Sequence, residues 1–544
     1  MTYFPTVRAR RAVALTGALA ATLTLAACGS GDSGGGGGEP SGPPQSGGTL
    51  RYGLSSAPTC SDPAQSGTNQ TIYVTRQIVD SLVDQDPASG ALRPWLADTW
   101  NYTADAKSFT FHLKDGITFS DGTPLTADSV RKNFDSIVAL GGVKAPLGAS
   151  YLSGYVGSVA LDPRTVRIEF SAPNAQFLQA VSTPQLGIQA DATIGKSAEE
   201  RCQGGNIGSG PFTYAEWKQN ASATLAKRAG YQWGSGVFAS QGEAHLDKIA
   251  FTVVPESGVR TGSLASGQLD AISDALPQDI KQIEGGGGRA QFTANPGVVF
   301  GLQPNVTRGP LRDPAVRTAL LPAINRKELV ETVLGPQFKP ATGVLAANTP
   351  GYVDLSTRVT YDPDAAKKQF DQAGWVPGAD GIRVKDGQRL SAAVLFSPVF
   401  AGNQAILELT QQQLKAVGFE LRLEPVSVAD SIVRQNNKDF DFAYYNTTRA
   451  DGDILRATFA FDQRNLNVRP AGDNLDVLLT QQLATTDADA RARLIGDAQR
   501  AVLDDGLWIP TIELSQAIGV GGKVAGVKFE ASARLQFHDT WLQR

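Results

Sequence analysis

A short apolar leader that ends at Cys28, with a run of glycine, serine and proline behind it, decides which part of this chain can fold at all. Residues 1–27 carry Arg8, Arg10 and Arg11, then an apolar run from Ala12 that is too short to cross a bilayer, then small residues up to Ala27. That order is the grammar of an export signal that is cut away. Gly29 to Gly48, with Gly34 to Gly38 unbroken, offers nothing to bury, so residues 28–47 are expected to form a flexible leash. Folding then falls to Thr49–Arg544, a length that suggests about three domains.

Leu25-Ala26-Ala27-Cys28 also resembles the bacterial lipobox. That resemblance implies cleavage before Cys28, diacylation of its thiol and a membrane anchor; ordinary secretion with an incidental cysteine is the alternative. Removing the leader takes three arginines and no acids, so the formal charge of −4 becomes −7. No basic run or basic-aromatic stripe offsets this, which argues against nucleic acid as a partner. With Cys28 lipidated, Cys60 and Cys202 are the remaining thiols, and export favours a bond between them over two separate buried thiols. His112, His245 and His538 lie far apart, with no His or Cys pair at metal-ligand spacing, so no metal site is expected.

Local patterns show a mixed architecture. Phe109, Phe111 and Leu113 alternate with Thr110 and His112 and end at Asp115-Gly116, which predicts a half-buried strand. Val159 and Leu161, the turn Asp162-Pro163-Arg164, then Val166, Ile168 and Phe170 predict a hairpin. Thr126 is placed to cap a helix carrying Asp128 in its first turn and Val130, Phe134, Ile137 and Val138 on one stripe. Later, Ile406–Val417 reads as a helix stopped by Gly418 and followed by a strand with Phe419, Leu421 and Leu423 buried. Asp362-Pro363 opens another helix that Gly374 stops, and Asp487–Leu503 a third, with strand-like Trp508–Leu514 after it. The fold class is mixed α/β and α+β with more than one sheet.

Three motif-like runs carry no chemistry. Gly31-Asp32-Ser33-Gly34-Gly35 spells a nucleophile pattern inside the leash, where no strand, helix, His or acid supports it. Ala190–Ser197 approximates a phosphate-binding loop but lacks its first glycine and a preceding strand, and Gly234-Ser235-Gly236 follows Tyr231 and Trp233 rather than a buried strand. No Ser, His and acid set stands out, so catalysis has no positive support and no cofactor is expected.

Several blocks occur in a definite order: Leu92–Trp100 (LRPWLADTW), Phe109–Val130 (FTFHLKDGITFSDGTPLTADSV), Ile207–Phe212 with Trp217, Leu264–Asp270, Leu311–Arg317 with Ala323–Arg326, and Asp439–Asp441. Together they resemble solute-binding protein family 5, the extracytoplasmic receptors of ABC importers, similar to dipeptide-, oligopeptide- and nickel-binding proteins. The resemblance implies a two-lobed binding-protein fold: a discontinuous first lobe at 48–76, 190–296 and 515–544, an inserted α+β domain at 77–189, and a second lobe at 297–514. It also implies a monomer that closes on its ligand and delivers it to a membrane permease.

By the same resemblance, a peptide backbone would pair with Ser66, Gly67 and Thr68 in one lobe and Tyr445, Asn446 and Thr447 in the other, with Phe396 nearby. Peptide-binding members place an aspartate just after the second segment, to meet the ligand's amino group. Here Thr448 occupies that place, followed by Arg449, with Asp451 and Asp453 beyond. Arg449 is therefore expected to face the cleft and hold an acid group of the ligand; the alternative is a surface arginine paired with Asp451 or Asp453. The leading expectation is a peptide or peptide-like ligand. The alternatives are a metal chelate, an oligosaccharide or an antibiotic-like compound, and an enzyme or adhesin built on the same fold.

Overall fold

Leu50, Tyr52 and Leu54, buried at alternate positions of the strand Thr49–Leu54, seed the first of three main sheets. The computed structural model describes residues 38–398, 400 and 402–544, so the leader, Cys28 and the start of the glycine run lie outside the described residues. Thr49–Leu54 runs parallel to Lys248–Val253 on one side and Ala271–Ser273 on the other, near the middle of a seven-stranded sheet. Ser515–Val520 and Arg289–Ala294 complete one edge of that sheet, and Ser222–Lys227 and Phe212–Lys218 the other.

Residues 38–48, expected to belong to an unstructured leash, make defined contacts with the body. The Gly526 amide donates to Glu39 Oε1 at 2.6 Å, and the Gly47 amide to the His245 carbonyl at 2.7 Å. Glu39 is the only acid in that stretch, and Arg289 lies 3.6 Å from it.

The second sheet is antiparallel, with strands Ala97–Tyr102, Ser108–Leu113, Thr165–Phe170 and Tyr155–Asp162 in that spatial order. Phe109, Phe111 and Leu113 point into its core, together with Val166, Ile168 and Phe170. The hairpin forms, and Asp162 Oδ1 accepts from the Arg164 and Thr165 amides at 2.8 and 2.9 Å. Its first arm differs from expectation. The register sets Ala160 opposite Val166 and Ser158 opposite Ile168, so Val159 and Leu161 fall on the uncovered face and are nearly half exposed.

Helix Ala127–Lys144 covers the other face. Thr126 and Ser129 form a capping box, and Val130, Phe134 and Ile137 are buried, whereas Val138, expected on the same stripe, is 42% exposed. Phe177 sits edge-on to Phe170 and Phe109, with ring centroids 4.8 and 5.0 Å away, and this cluster contributes about 2 kcal/mol or more per buried ring.

The third sheet has six strands, ordered Lys339–Pro340, Ile509–Glu513, Gly297–Pro304, Phe442–Thr448, Ser391–Phe396, Glu420–Pro425. Helix Asn403–Ala416 and Gly418, at φ +87°, lead into Glu420–Pro425, which lies parallel to Ser391–Phe396. This is the expected helix-glycine-strand step, with Phe419 and Leu421 buried. Asp362 caps helix Pro363–Gln372 through the Ala365 amide, and Asp487 caps Ala488–Asp504 through the Ala490 amide. The arrangement is a two-lobed α/β fold, with the seven- and six-stranded sheets at its centres and the four-stranded α+β layer packed beside them.

Two buried acids make a pH dependence of stability. Asp80 takes hydrogen bonds from Trp233 Nε1 and Tyr231 Oη at 2.9 and 3.1 Å but has no salt-bridge partner among the described residues. Burial, only partly opposed by these donors and by Arg76, pushes its carboxyl up to about 7. Asp84, bonded by the Ser235 hydroxyl, is pushed up by burial to about 6. An unfolded aspartate titrates near 3.9, so between about pH 4 and 7 the native chain holds protons that the unfolded chain has lost. Stability must then fall as pH rises through that window, by on the order of 3 kcal/mol for Asp80 alone. Thermal melts should show a higher midpoint at pH 5 than at pH 8. Asp80→Asn should remove most of that difference; an unchanged difference would refute the assignment.

Candidate functional site

The chain passes between the two large sheets at two places. Arg289–Ala294 ends in one lobe and Gly297–Pro304 begins in the other, so Asn295-Pro296 is one crossing; Leu514, between Ile509–Glu513 and Ser515–Val520, is the second. The crossings are tied together. The Asn295 amide donates to the Leu514 carbonyl at 2.8 Å, and Asn295 Nδ2 donates to Thr448 Oγ1 at 3.1 Å. Gly297 follows at φ +111°, where an added Cβ would lie 2.2 Å from the Thr447 carbonyl oxygen, so only glycine lets the strand start this close to its neighbour.

At this junction the strand Phe442–Thr448 emerges half paired. On one side Gly297 to Pro304 matches it along its length. On the other, the parallel strand pairs Val394, Leu395 and Phe396 with Phe442, Ala443 and Tyr444 and then stops. Among the described residues, Tyr445, Asn446, Thr447 and Thr448 therefore present one backbone edge with no ladder partner, beside the crossings. Phe396 itself is 1% exposed in the core of the six-stranded lobe. Its contribution is to end the strand, and its ring touches no cleft. The Tyr445 ring is turned inward, with its hydroxyl on Gln303 Oε1, Trp508 edge-on at 5.2 Å and the Arg464 guanidinium 4.8 Å from its centre.

In the other lobe, the Ser66 side chain is buried, donating to the Asp62 carbonyl and meeting Thr75 Oγ1, and its carbonyl accepts from Gln185 Nε2. Gly67 and Thr68 are exposed just before helix Asn69–Thr75, and Gly67 has open space where a side chain would stand. The segment is fixed from behind and open at the front. Cys60 and Cys202 are bonded to each other, with Cα atoms 4.2 Å apart. Beside them Arg201 and Asp62 form a fully buried ion pair at 2.7 Å.

Arg449 is neither free nor at the surface. It is 4% exposed, with its guanidinium 4.8 Å from the ring centre of Tyr151 and Nη1 donating to Gln176 Oε1 at 3.1 Å, both in the part of the chain that carries the four-stranded sheet. Asp453 lies 3.4 Å from Nη1 and is itself shared with Arg456 (2.8 Å) and Gln482 Nε2 (2.6 Å). Asp451 is committed to Arg491 through two bonds of 2.6 and 2.8 Å. Burial would raise the Asp451 carboxyl, but the Arg491 charge and bonds outweigh it and hold the group below the usual range. Arg456 also feels the charge of Asp462, so three arginines face three carboxylates in this cluster and the charges balance.

The same seam holds hydrogen-bonding groups with no partner among the described residues: Gln176 Nε2, Gln179 Oε1 and Asn174 Oδ1 are buried and unpaired there. Sequence reading missed these residues, together with Gln85 and Tyr151. Nothing in their local pattern distinguishes a glutamine turned toward Arg449, 273 residues away, from one turned to solvent. Among the described residues no group of three or more His, Cys, Asp or Glu side chains could hold a metal ion.

Residues 91–465 match the family model described as bacterial extracellular solute-binding proteins, family 5 Middle. The nickel-binding periplasmic protein of Escherichia coli K12 is 26% identical over 480 residues, covering 83% of this chain and 87% of that protein. The probable D,D-dipeptide-binding periplasmic protein DdpA of the same strain is 25% identical over 495 residues, covering 88% and 91%. Among solved structures, NikA from Brucella suis in complex with Fe(III)-EDTA superposes with a TM-score of 0.79 at 23% identity, covering 91% of this chain and all of that one. With more than half its length matched by that model, this chain belongs to family 5 of the bacterial extracellular solute-binding proteins.

Proposed function

We propose that this protein is the solute receptor of an ABC importer, that it takes a peptide or peptide-like ligand between its two lobes, and that Arg449 holds an acid group of that ligand. The observation that carries the reading is the unpaired backbone edge at Tyr445–Thr448. It offers amides and carbonyls to an extended ligand at the place where the lobes join, so that main-chain bonds supply affinity while side chains vary. Gly67 and Thr68 would receive the ligand from the opposite lobe. Residues 77–189 would then act as a wall and 297–514 as the moving lobe. Thr448, a hydroxyl where the peptide binders place a carboxylate, and the buried guanidinium of Arg449 favour a ligand that presents a carboxylate there.

The relatives support both ends of the ligand range, one being named for a dipeptide and another for nickel. In this chain a metal would arrive already chelated, since few side chains could bind it directly. Anchoring through acylated Cys28 on the outer face of the cell membrane completes the proposal, and mass spectrometry of the mature amino-terminal peptide checks it.

The test of the site is ligand capture. Native mass spectrometry of protein purified gently from its own cells should show an added mass that is lost on denaturation. Once that ligand is identified, Arg449→Ala should weaken it by about a hundredfold if a buried carboxylate loses its partner. Unchanged affinity would remove Arg449 from the site, and cargo without a carboxylate or peptide bond would overturn the ligand class.

A further inference from the structure

A cavity of about 490 Å³ has no residue from 297 to 514 in its wall, although Gln85 in that wall also donates to the Ala450 carbonyl. It opens between the segment around Asp84 and the seven-stranded lobe, and its size suits a small organic molecule. Phe238, Phe292 and Phe529 give it aromatic surface. Its charges are unequal. Asp84, Asp86 and Glu530 stand against Arg76 and Lys528, and both cations are already engaged. Arg76 is 2.9 Å from Glu530, donates to Ser81 and to the Ser182 carbonyl, and lies 4.4 Å from the centre of the Trp95 ring. Lys528 is bound at 2.6 Å to Asp539, which is not part of the wall.

Among the described residues neither Asp84 nor Asp86 forms a salt bridge: Asp84 is buried and feels, of the cations, only the already engaged Arg76, and Asp86 is half-buried and feels Arg93. Asp84 is bonded only by the Ser235 hydroxyl and the Gln85 amide, and Asp86 only by groups of its own turn. Acidic groups in an aromatic-lined cavity suit an ammonium with an apolar body, whereas an anion would meet an excess of carboxylates. We propose that this cavity is a second binding site, for a small organic amine with an apolar or aromatic body. It stands apart from the solute held between the lobes.

Isothermal titration of the full-length protein with 2-phenylethylamine, 2-phenylethanol and 3-phenylpropanoate tests this, since the three share a body and differ in charge. The amine should bind at least about tenfold more tightly than the alcohol, and the carboxylate should not bind in this cavity. Asp84→Asn should abolish the advantage of the amine. Asp86→Asn, at a half-exposed residue whose substitution spares the core, should reduce it, and Phe529→Ala should weaken amine and alcohol together. Arg449→Ala should change none of these. Amine binding no tighter than alcohol would overturn the proposal. So would amine binding that is unchanged in both Asp84→Asn and Phe529→Ala, because the amine would then lie outside this cavity.

Discussion

Asp453→Ala should destabilise the protein by about 3–5 kcal/mol, more than other single substitutions near the interlobe junction, because it strands two buried cations at once. Asp453 is fully buried and takes bonds from Arg456 Nε and Nη2 at 2.8 and 3.0 Å and from Gln482, with Arg449 Nη1 3.4 Å away. Arg449 and Arg456 are themselves 4% and 8% exposed, so neither can regain water without moving the helix Ile454–Phe459. Asp453→Asn should lose less, since it keeps the shape and one acceptor. Urea denaturation of the two variants beside the parent measures this. A loss below about 1 kcal/mol in Asp453→Ala would mean that the arginines reach other partners and that the cluster is not the keystone its geometry implies.

Removing the bond between Cys60 and Cys202 should also cost several kcal/mol, by acting on the unfolded chain. The cysteines are 142 residues apart, and closing a loop of that length restricts the unfolded ensemble by about 5 kcal/mol at 25 °C in the chain-entropy account. The native contacts around the bond should survive its removal: the Asp62–Arg201 pair, Ser61 Oγ donating to the Arg201 carbonyl at 2.9 Å, and the Gly204 amide donating to Ser61 Oγ at 2.6 Å. The double variant Cys60→Ala/Cys202→Ala should therefore fold to the same structure, bind its ligand with unchanged affinity, and unfold at clearly lower urea. Equal midpoints for parent and double variant would show that the unfolded state is already compact around these residues.

Elements whose cause is local could be read from the sequence. The Thr126 cap, the Asp362-Pro363 start, the Gly418 stop and the alternation from Phe109 to Leu113 depend on residues within one or two turns of each other, and each appears where the pattern placed it. Direction was harder to read. Alternation in Val159 and Leu161 announces a strand but does not say which of its faces meets the core, and the face opposite Val166 and Ile168 carries Ala160 and Ser158. The candidate site was legible as a segment and not as side chains. Tyr445 to Thr448 lies at the lobe junction, yet the Tyr445 ring points back into its own lobe. Arg449 meets Gln176 and Tyr151, partners that only the folded chain brings near.

Direct protein contacts join the wall to the six-stranded lobe: Gln85 Nε2 donates to the Ala450 carbonyl at 3.1 Å, the Ala175 amide donates to the Leu483 carbonyl at 2.9 Å, and Arg449 reaches Gln176. These contacts contribute equally whatever solute is enclosed. If the lobes close on the solute as proposed, these contacts set the fraction of receptors in the closed form, and that fraction scales every dissociation constant alike. Tightness and selectivity are thereby separable in this molecule. Changes along the Gln85–Ala450 seam would rescale affinity for the whole cargo range, while the ranking among solutes would stay with the groups that touch them.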